Sequence, residues 1–449
     1  MAENENQESE IKDSEVKDSE VKKSEVEVTE DITVDTETKK NLKLQFWYGL
    51  LFGVLAASIF FTGLLLWYRS REPKKITSIQ LDADADISAT GEVLSKAVMS
   101  KMNSLLQAID LYYLNDVTEE DLVNGMYSGL LDALNDPYSK YYTAEELTDL
   151  MQQTQGTYFG IGAYVGFDKE QNTAYISKIM KGTPAEASDL KQGDFIVGVD
   201  EIDTVGMSST EVVTYIKGEK DTAVTLKVYR KSTDETLNIE IIRNEIETPT
   251  VEHEMLDNNI GYLEILEFDN VTTDQFKKAY TDLKSQGMDA MILDLRANPG
   301  GNVGTVCEIA REMLPEGLIV YTEDKYGNRT DYRCNGKNKI NIPLVVLVDQ
   351  NSASAAEILA GAIKDHEVGI LMGATTFGKG IVQRIISISD GTAMKLTISK
   401  YYTPNGNNIH GIGIEPDIKV EWDEDAFLED GTDSQKNAAY DYLVEQLQK

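Results

Sequence analysis

The stretch PLVVLVDQNSASAAEILAGAIKDH, residues 343–366, joins an apolar run to a helix pattern through a turn that holds two serines. A short uninterrupted apolar run is typical of a strand buried in a parallel or mixed sheet. The small residues after the serines begin a helix pattern. A serine-bearing turn between such elements lies where the chemistry of these sheets gathers, at the carboxyl ends of the strands.

Strand and helix patterns alternate over residues 248–422, which we interpret as one domain. The successive segments are IGYLEILEF, a helix pattern over 273–286, AMILDLR, NVGTVCEIAREML, PLVVLV and SAAEILAGAIKD. Alternation at this spacing predicts a parallel or mixed sheet covered by helices, and so a domain of α/β (α+β) class. We interpret residues 423–449 as an acidic, helical C-terminal segment.

Three polar or glycine-bearing stretches follow apolar runs of this domain, at residues 296–301, 351–355 and 375–380. A serine in the first turn of the helix pattern that follows residues 351–355 would hold its hydroxyl near unsatisfied amides and the positive helix end. That setting favours developing negative charge. The three stretches together therefore indicate a site for catalysis by a serine nucleophile.

A serine nucleophile needs a base, and the chain holds three histidines. His366 lies about three turns along the helix from Ser354, roughly 18 Å at about 1.5 Å per residue, which is too far for proton transfer. We interpret His253 and His410 as ordinary surface or packing residues. Lysine is the alternative base where burial lowers its pKa. Lys379 is flanked by glycines in an apolar and uncharged neighbourhood of the sequence.

Residues 156–247 carry short strand patterns and turns. The strand patterns are YFGIGAYVGF, AYISKIM, DFIVGVDE, AVTLKVYR and TLNIEIIR, with the helical pieces PAEASDL and SSTEVVTYIKG between them. This order, with the loop YFGIG, the turn GTPA and the segment LKQGD, resembles a PDZ domain. The resemblance implies that the loop presents amides to a terminal carboxylate while the peptide adds to the sheet edge as a strand. The loop residues are Tyr158, Phe159, Gly160, Ile161 and Gly162. A small β-rich domain without a ligand is the alternative.

Residues 92–155 form a predicted helical module. Apolar residues recur at the three- and four-residue spacing of an amphipathic face, at Leu94, Val98, Met102, Leu105, Leu106, Ile109 and Tyr113. Two capping boxes punctuate the module, Thr118 with Asp121 and Thr143 with Glu146.

The preceding residues divide into three predicted segments. Residues 1–45 form an acidic tail with the near-repeat DSEVK-DSEVK-KSEVE, which has too little apolar surface to order. An uncharged apolar run begins at Phe46 and ends at Tyr68, which suits a helix that spans a bilayer with about 20 residues. A cleavable signal peptide is the alternative, but the run is too long for one. Residues 69–91 are a polar linker. Basic residues nearly balance on the two sides of the run, so their charge does not set its orientation.

The chain of 449 residues is strongly acidic, with 77 acidic against 42 basic side chains and a formal net charge of −35. Its length predicts two or three domains. With no basic block away from the apolar run, nucleic acid is excluded as a partner. Cys307 and Cys334 are the only cysteines, which excludes a disulfide framework and a four-cysteine zinc site. Two free thiols are predicted, with a single disulfide as the alternative.

The motif SASAAEI around Ser354, followed by Gly-Lys-Gly around Lys379 and then by Gln383, resembles the carboxyl-terminal processing proteases, also called tail-specific proteases. The resemblance covers residues 92–417 and implies a ClpP/crotonase-like protease core with the PDZ-like domain inserted before it. It implies a Ser-Lys dyad, with Ser354 as the nucleophile and Lys379 as the base. Gln383 would orient the lysine, and Ser352 would be a turn or capping residue.

The stretch RANPGG at residues 296–301 matches the oxyanion loop of the same family. The resemblance implies that an amide of Gly300 or Gly301, together with that of Ala355, faces the oxyanion. It implies no metal and no cofactor.

The resemblance also implies the biological setting. The partners would be protein substrates with free apolar C-termini, and the helical ends would pair two subunits into a homodimer. Family members act outside the cytoplasm, so the chain would cross the cell membrane once, with its N-terminus cytoplasmic and its catalytic domain extracytoplasmic. Two alternatives are a non-catalytic PDZ scaffold with a protease-like fold and a Ser-His-Asp hydrolase that uses His410.

Overall fold

The computed structural model describes residues 78–79 and 93–449. The predicted acidic tail (1–45), the predicted membrane span (46–68) and all but two residues of the predicted linker (69–91) lie outside the described residues. Among the helices of the described part, none combines the length and the apolar character needed to cross a bilayer. Within the predicted linker, strand β1 (Ser78–Ile79) pairs in parallel with Ser387 and Ile388 of the core.

The helical module consists of three helices and one short strand. They are α1 (Lys96–Tyr112), α2 (Glu119–Asp132), β2 (Lys140–Tyr142) and α3 (Ala144–Gln155). Both predicted capping boxes form, because Thr118 exchanges hydrogen bonds with Asp121, and Thr143 with Glu146. No residue of α1 is buried against the described residues. The amphipathic face predicted along this helix is therefore exposed in the part of the chain that the structure describes.

The PDZ-like domain is a sheet with its own apolar core. Its elements are β3 (Thr157–Gly160), β4 (Ala163–Asp168), β5 (Thr173–Ile179), α4 (Pro184–Ala187), β6 (Phe195–Val199), β7 (Ile202–Asp203), α5 (Ser209–Ile216), β8 (Ala223–Arg230), β9 (Glu235–Ile242) and β10 (Asn244–Glu247). The sheet has the order β4-β5-β6-β8-β9, which leaves β4 at an edge beside α5. Strands β3 and β10 form a separate antiparallel ribbon. The chain therefore enters and leaves the domain through this ribbon.

The core contains a mixed sheet of six strands. They are β11 (Val251–Leu256), β12 (Ile260–Ile265), β13 (Ala290–Asp294), β16 (Leu344–Val348), β17 (Ile370–Gly373) and β20 (Ile418–Lys419), in the order β11-β12-β13-β16-β17-β20. Only β11 and β12 pair antiparallel; the other neighbours are parallel. Every residue of β16 is buried, as its uninterrupted apolar run predicts.

Apolar layers cover both faces of this sheet. The helices of the core are α6 (Thr272–Ser285), α7 (Val303–Arg311), α8 (Ala355–Asp365), α9 (Glu424–Asp430) and α10 (Ser434–Leu447). Val346 and Val348 of β16 pack with α6, α7 and α8, whereas Val345 and Leu347 pack with Ala439 of α10. This alternation follows from the two-residue period of a strand. Helix α10 therefore completes the core.

A second sheet lies over the helices α7 and α8. It contains β14 (Glu316–Asp324), β15 (Arg329–Asn335), β18 (Ile381–Ile388) and β19 (Ala393–Tyr402), with β1 at one edge and β2 paired to β19. Its buried residues, including Ile319 and Tyr401, join the same apolar core as α8. Cys307 and Cys334 are both buried and both free, which confirms the prediction of two thiols.

Candidate active site

Ser354 lies at the N-cap of α8, at the end of the turn that follows β16. Its backbone has φ 54° and ψ −111°, in a region that residues with a side chain rarely occupy, at a cost of about 1–3 kcal/mol. The buried hydroxyl of Tyr401 donates to the Ser354 carbonyl at 3.1 Å. Surrounding contacts therefore hold Ser354 in a conformation that the chain alone would not favour.

Ser352 and Asp349 fix the turn before Ser354. The fully buried Ser352 hydroxyl donates to the Leu295 carbonyl at 2.8 Å and accepts from the Asp349 amide at 2.9 Å. The Asp349 carboxylate accepts in turn from the amides of Ser352 and Ala297, each at 2.9 Å. Ser352 is thus a turn residue, and the turn is tied to the segment that follows β13.

Asn298 fixes the glycine-bearing loop against the same turn. Its fully buried side chain donates to the Ile265 carbonyl at 2.6 Å and accepts from the Gly300 amide at 2.8 Å. The backbone carbonyl of Asn298 accepts from the Ala353 amide at 2.9 Å. Gly300 has φ +104°, and a Cβ on it would lie 2.7 Å from the Ser354 Cβ. Only glycine allows this loop to pass so close to the serine.

The predicted oxyanion residues border Ser354, but they are not equivalent. The Gly300 amide is used by Asn298. The amides of Gly301 and Ala355 donate to no group within residues 78–79 and 93–449. Of the two glycines that the sequence left open, Gly301 is therefore the one whose amide is available, together with that of Ala355.

Glu357, which sequence reasoning did not single out, connects the serine to the lysine segment. One oxygen of its fully buried carboxylate accepts from the Thr376 hydroxyl at 2.6 Å and the Gly378 amide at 2.7 Å. The other accepts from the amides of Ser354 at 2.9 Å and Lys379 at 2.8 Å. One carboxylate thus holds together the backbones of the two predicted dyad residues. The sequence did hold a signal for this role, because Glu357 is an acidic residue among small residues at the third position of the helix, where a capping box has its carboxylate.

The Lys379 ammonium is half-buried, and its Nζ lies 4.6 Å from the centre of the Tyr138 ring. Burial, followed by the charge of Lys395, lowers its pKa; Asp136 and Glu357 act in the opposite direction without reversing the shift. The neighbourhood of Lys379 is uncharged in the sequence, but the fold brings three charged groups to it. The three charged groups come from segments remote in the sequence, which inspection of the residues around Lys379 does not reveal.

The predicted catalytic side chains are not hydrogen-bonded to one another in the part of the chain that the structure describes. Among the described residues, no hydrogen bond links the Ser354 hydroxyl, the Lys379 ammonium and the Gln383 amide. Gln383 instead donates to the Thr397 hydroxyl at 3.1 Å, because the two residues face each other across β18 and β19. Catalytic hydrogen bonds commonly tighten only when substrate binds.

The three histidines are engaged elsewhere or exposed. His253 contacts Asp282 at 2.9 Å on the surface, and His366 contacts the Leu318 carbonyl at 2.7 Å. His410 is exposed. In the part of the chain that the structure describes, no histidine ring is hydrogen-bonded to Ser354.

The PDZ loop lies between the ribbon and the edge strand β4. Tyr158, Phe159 and Gly160 belong to β3, while Ile161 is buried in the domain core. Gly162 has φ +81°, and a Cβ there would lie 2.3 Å from the Thr183 Cβ, so the turn requires glycine. The amides of Ile161 and Gly162 find no acceptor among the residues described. These two unpaired amides lie directly before the start of β4.

A network behind the predicted oxyanion loop joins this loop to the C-terminal segment. The partly buried Arg296 guanidinium donates to the carboxylates of Asp294 and Asp433. Burial opposes the charge of Arg296, but these two carboxylates outweigh it and raise its pKa. Asp433 is the N-cap of α10. The start of the oxyanion loop is therefore held by a residue from the far end of the chain.

Comparison with known proteins identifies the family. Profiles of peptidase family S41, of the PDZ domain and of the activating protease CtpB N-terminal domain match residues 259–420, 147–229 and 54–146. The carboxyl-terminal-processing protease of Synechocystis sp. is 35% identical over 321 residues, which are 70% of this chain and 75% of that protein. The carboxy-terminal processing protease CtpB of Bacillus subtilis is 34% identical over 342 residues, 75% of this chain and 71% of that protein.

A solved structure of a photosystem II D1 C-terminal processing protease is 28% identical, with a TM-score of 0.42, and the match covers 73% of this chain and 87% of that one. The fold and the matched domains define a serine-type peptidase that carries a PDZ domain. The chain belongs to the carboxyl-terminal processing proteases of peptidase family S41.

Replacement of Glu357 tests the link between the two dyad segments. In Glu357→Gln an NH₂ group replaces one carboxylate oxygen. The two donors that bind that oxygen would then lose their acceptor. We expect the free energy of unfolding to fall by about 3 kcal/mol, since each buried donor without a partner costs roughly 1–3 kcal/mol. Peptidase activity should fall by about 100-fold or more, because Ser354 and Lys379 are no longer held in register.

Urea unfolding and hydrolysis of an unfolded protein substrate measure the two effects. Glu429→Gln, which removes the same charge from an exposed position, is the control and should match the wild type. Wild-type stability and activity in Glu357→Gln would contradict the bridging role.

Proposed function

We propose that this chain is a membrane-anchored endopeptidase that cleaves proteins near their C-terminus with a dyad of Ser354 and Lys379. The observation that carries the proposal is the buried Glu357 carboxylate, which accepts hydrogen bonds from the backbone amides of both residues. Residues 25 positions apart in the sequence are thereby held against each other at the start of α8. The lowered pKa of Lys379 supports its role as the base, since only the neutral amine accepts a proton.

The chemistry follows from these positions. Neutral Lys379 takes the proton of the Ser354 hydroxyl as its oxygen attacks a substrate carbonyl. The free amides of Gly301 and Ala355, the latter at the positive end of α8, stabilise the oxyanion of the tetrahedral intermediate. Lys379 returns the proton to the leaving amine, and water then hydrolyses the acyl-enzyme. Gln383 reaches the lysine from its position beside Thr397 when substrate binds.

The PDZ domain captures the free C-terminus of the substrate. Two features support this part of the proposal: the unpaired amides of Ile161 and Gly162, and the open edge of β4 beside α5. An extended peptide would add to β4 as a strand, and its terminal carboxylate would bind the two amides. Apolar side chains at the C-terminus would pack between β4 and α5.

Capture is coupled to catalysis through the base of the β3–β10 ribbon. The Asn270 amide donates to the carbonyl of Thr154, which lies just before the ribbon, at 3.2 Å. The Asn270 side chain accepts from that of Asn302 at 3.1 Å, directly after Gly301. A movement of the ribbon on peptide binding would therefore reach the oxyanion loop through one residue. This short path supports coupling between the two sites.

The apolar run between Phe46 and Tyr68 anchors the enzyme in the cell membrane, with the N-terminus cytoplasmic and the catalytic domain extracytoplasmic. The length and the aromatic ends of the run support a single span. Two copies pair through the helical module. The exposed apolar side chains of α1 include Val98, Met99 and Leu105. They support this pairing, because an exposed apolar helix face is stabilised when a second copy buries it.

Substitution of the dyad tests the mechanism in the full-length enzyme in detergent. Ser354→Ala and Lys379→Ala should each lower kcat/KM on an unfolded protein by about 10³-fold or more, since dyad members act as a unit. Wild-type activity should rise with pH through the pKa of Lys379, because protonation blocks the base.

The matched control is Lys400→Ala, at an exposed position of β19, which should remain active. Full activity in Lys379→Ala with loss in His410→Ala would favour a Ser-His-Asp hydrolase. No activity in the wild type, with C-terminal peptides still bound, would favour a scaffold.

The role of the PDZ loop predicts a preference for a free carboxylate. Converting the C-terminal carboxylate of the substrate to an amide should raise KM about tenfold or more, because the charge-assisted hydrogen bonds to the loop are lost. Gly162→Ala should abolish this preference, since its Cβ would collide with Thr183. Gly182→Ala, also at a positive φ (+74°) but with open space around it, is the control and should keep the preference. Equal KM values for acid and amide in the wild type would contradict capture by the carboxylate.

The membrane arrangement is tested by fractionation of cells that express the full chain. The enzyme should sediment with membranes, and protease added to spheroplasts should digest the domain that follows the apolar run but spare residues 1–45. Sedimentation in detergent should give the mass of a dimer, and Leu105→Asp that of a monomer. Recovery of the full chain in the soluble fraction would contradict the anchor.

A further inference from the structure

We propose that Tyr138, from the helical module, is a positioning residue for the reaction: its ring forms a wall against which the Lys379 amine is held away from water. This inference rests on the proposed role of Lys379 as the base. It assigns part of the active site to a segment that lies more than 200 residues before Ser354 in the sequence.

The contact between the two residues is direct. The Lys379 Nζ lies 4.6 Å from the centre of the Tyr138 ring, within the distance at which an amine and an aromatic face attract each other. Among the described residues, the hydrogen bond of Lys379 to Glu357 is made by its main-chain amide and not by its Nζ. Tyr138 is itself half-buried. The ring therefore covers one side of the amine.

The loop that carries Tyr138 is fixed by its own hydrogen bonds. The Asp136 carboxylate accepts from the Tyr138 amide at 3.1 Å and from the Ser139 hydroxyl at 2.6 Å. The buried Ser139 hydroxyl accepts in turn from the Thr397 amide of β19 at 3.1 Å. The next residue, Lys140, begins β2, which pairs with β19. The ring is thus placed by a tight turn attached to the core, not by a free loop.

Strand β19 connects Tyr138 to the rest of the site. Thr397 binds the Ser139 hydroxyl through its amide and the Gln383 side chain through its hydroxyl. Two strand residues earlier, Lys395 faces Lys379 and pairs with Lys140. The ring, the predicted orienting glutamine and the charge beside the base therefore share one framework.

The charged groups around Lys379 show why exclusion of water matters. Asp136 from the turn before β2 and Glu357 from α8 favour the ammonium, whereas Lys395 from β19 disfavours it. His410 faces Asp136 from the loop after β19. Burial raises the pKa of Asp136, but hydrogen bonds from Ser139 and Thr397 outweigh burial and lower it, so this carboxylate is ionised at neutral pH.

The two carboxylates favour a charged Lys379, whereas Lys395 opposes it more strongly than either carboxylate alone. Burial is the largest influence and also opposes the charge, so the pKa of Lys379 is lowered. The Tyr138 ring supplies part of this burial. The attraction between an amine cation and a ring acts in the opposite direction. The inference requires that the loss of burial outweighs the loss of this attraction when the ring is removed. Removing the ring should therefore raise the pKa of Lys379.

The experiment compares the pH dependence of kcat/KM for full-length wild type, Tyr138→Ala, Tyr138→Leu and Tyr138→Phe. In Tyr138→Ala the rise of activity should move upward by about one pH unit, so that activity at pH 7 falls about tenfold while the plateau at high pH stays within about twofold. Tyr138→Leu should shift the rise less, and Tyr138→Phe should keep the wild-type profile. Tyr326→Leu, at an exposed position, is the control.

Two results would overturn the inference. One is an unshifted profile in Tyr138→Ala. The other is an equal loss at every pH in both Tyr138→Ala and Tyr138→Leu, which a purely structural role would produce. Lys379→Ala separates this inference from the proposed function. If that variant keeps activity, both fail; if it is inactive while Tyr138→Ala has the wild-type profile, only the role of Tyr138 fails.

Discussion

The site depends on one buried carboxylate. Taking a carboxylate out of water costs several kcal/mol unless hydrogen bonds replace its hydration. Glu357 satisfies this condition with four donors and no competing acceptor, two on each oxygen. The backbone amides of Ser354 and Lys379 need Glu357 in turn, because they would have no hydrogen-bond acceptor without its carboxylate. The same contacts that make Glu357 tolerable inside the core therefore hold the backbones of Ser354 and Lys379, the proposed nucleophile and base, beside each other, and they help to hold Ser354 in its strained backbone conformation.

Around this centre, each wall of the site comes from a different part of the chain. The core supplies the serine turn and the oxyanion loop, which Asn298 binds to each other. The C-terminal segment supplies Asp433, which holds Arg296 at the start of that loop. The helical module supplies Tyr138, and the ribbon below the PDZ domain ends beside Asn270. In the proposed mechanism, this convergence would give substrate capture and catalysis a common framework.

Much of the fold could be predicted from local patterns. The uninterrupted apolar run of β16 and the capping boxes at Thr118 and Thr143 depend on neighbouring residues alone, and they form as expected. Contacts between distant segments could not be predicted in this way. Periodicity does not reveal which charges surround Lys379, and the register of β18 against β19 sets Gln383 opposite Thr397. The Gly300 amide likewise bonds to Asn298, a choice that the glycine-rich sequence leaves open.

The central claim is that Ser354 is a nucleophile activated by Lys379. Reaction with a fluorophosphonate probe, followed by peptide mass spectrometry, tests it most directly, because such probes modify serines whose proton is removed by a base. The account predicts one modified residue, Ser354, in the wild type at high pH, and no modification in Lys379→Ala. Modification of a different serine, or equal labelling of Ser354 with and without Lys379, would contradict it.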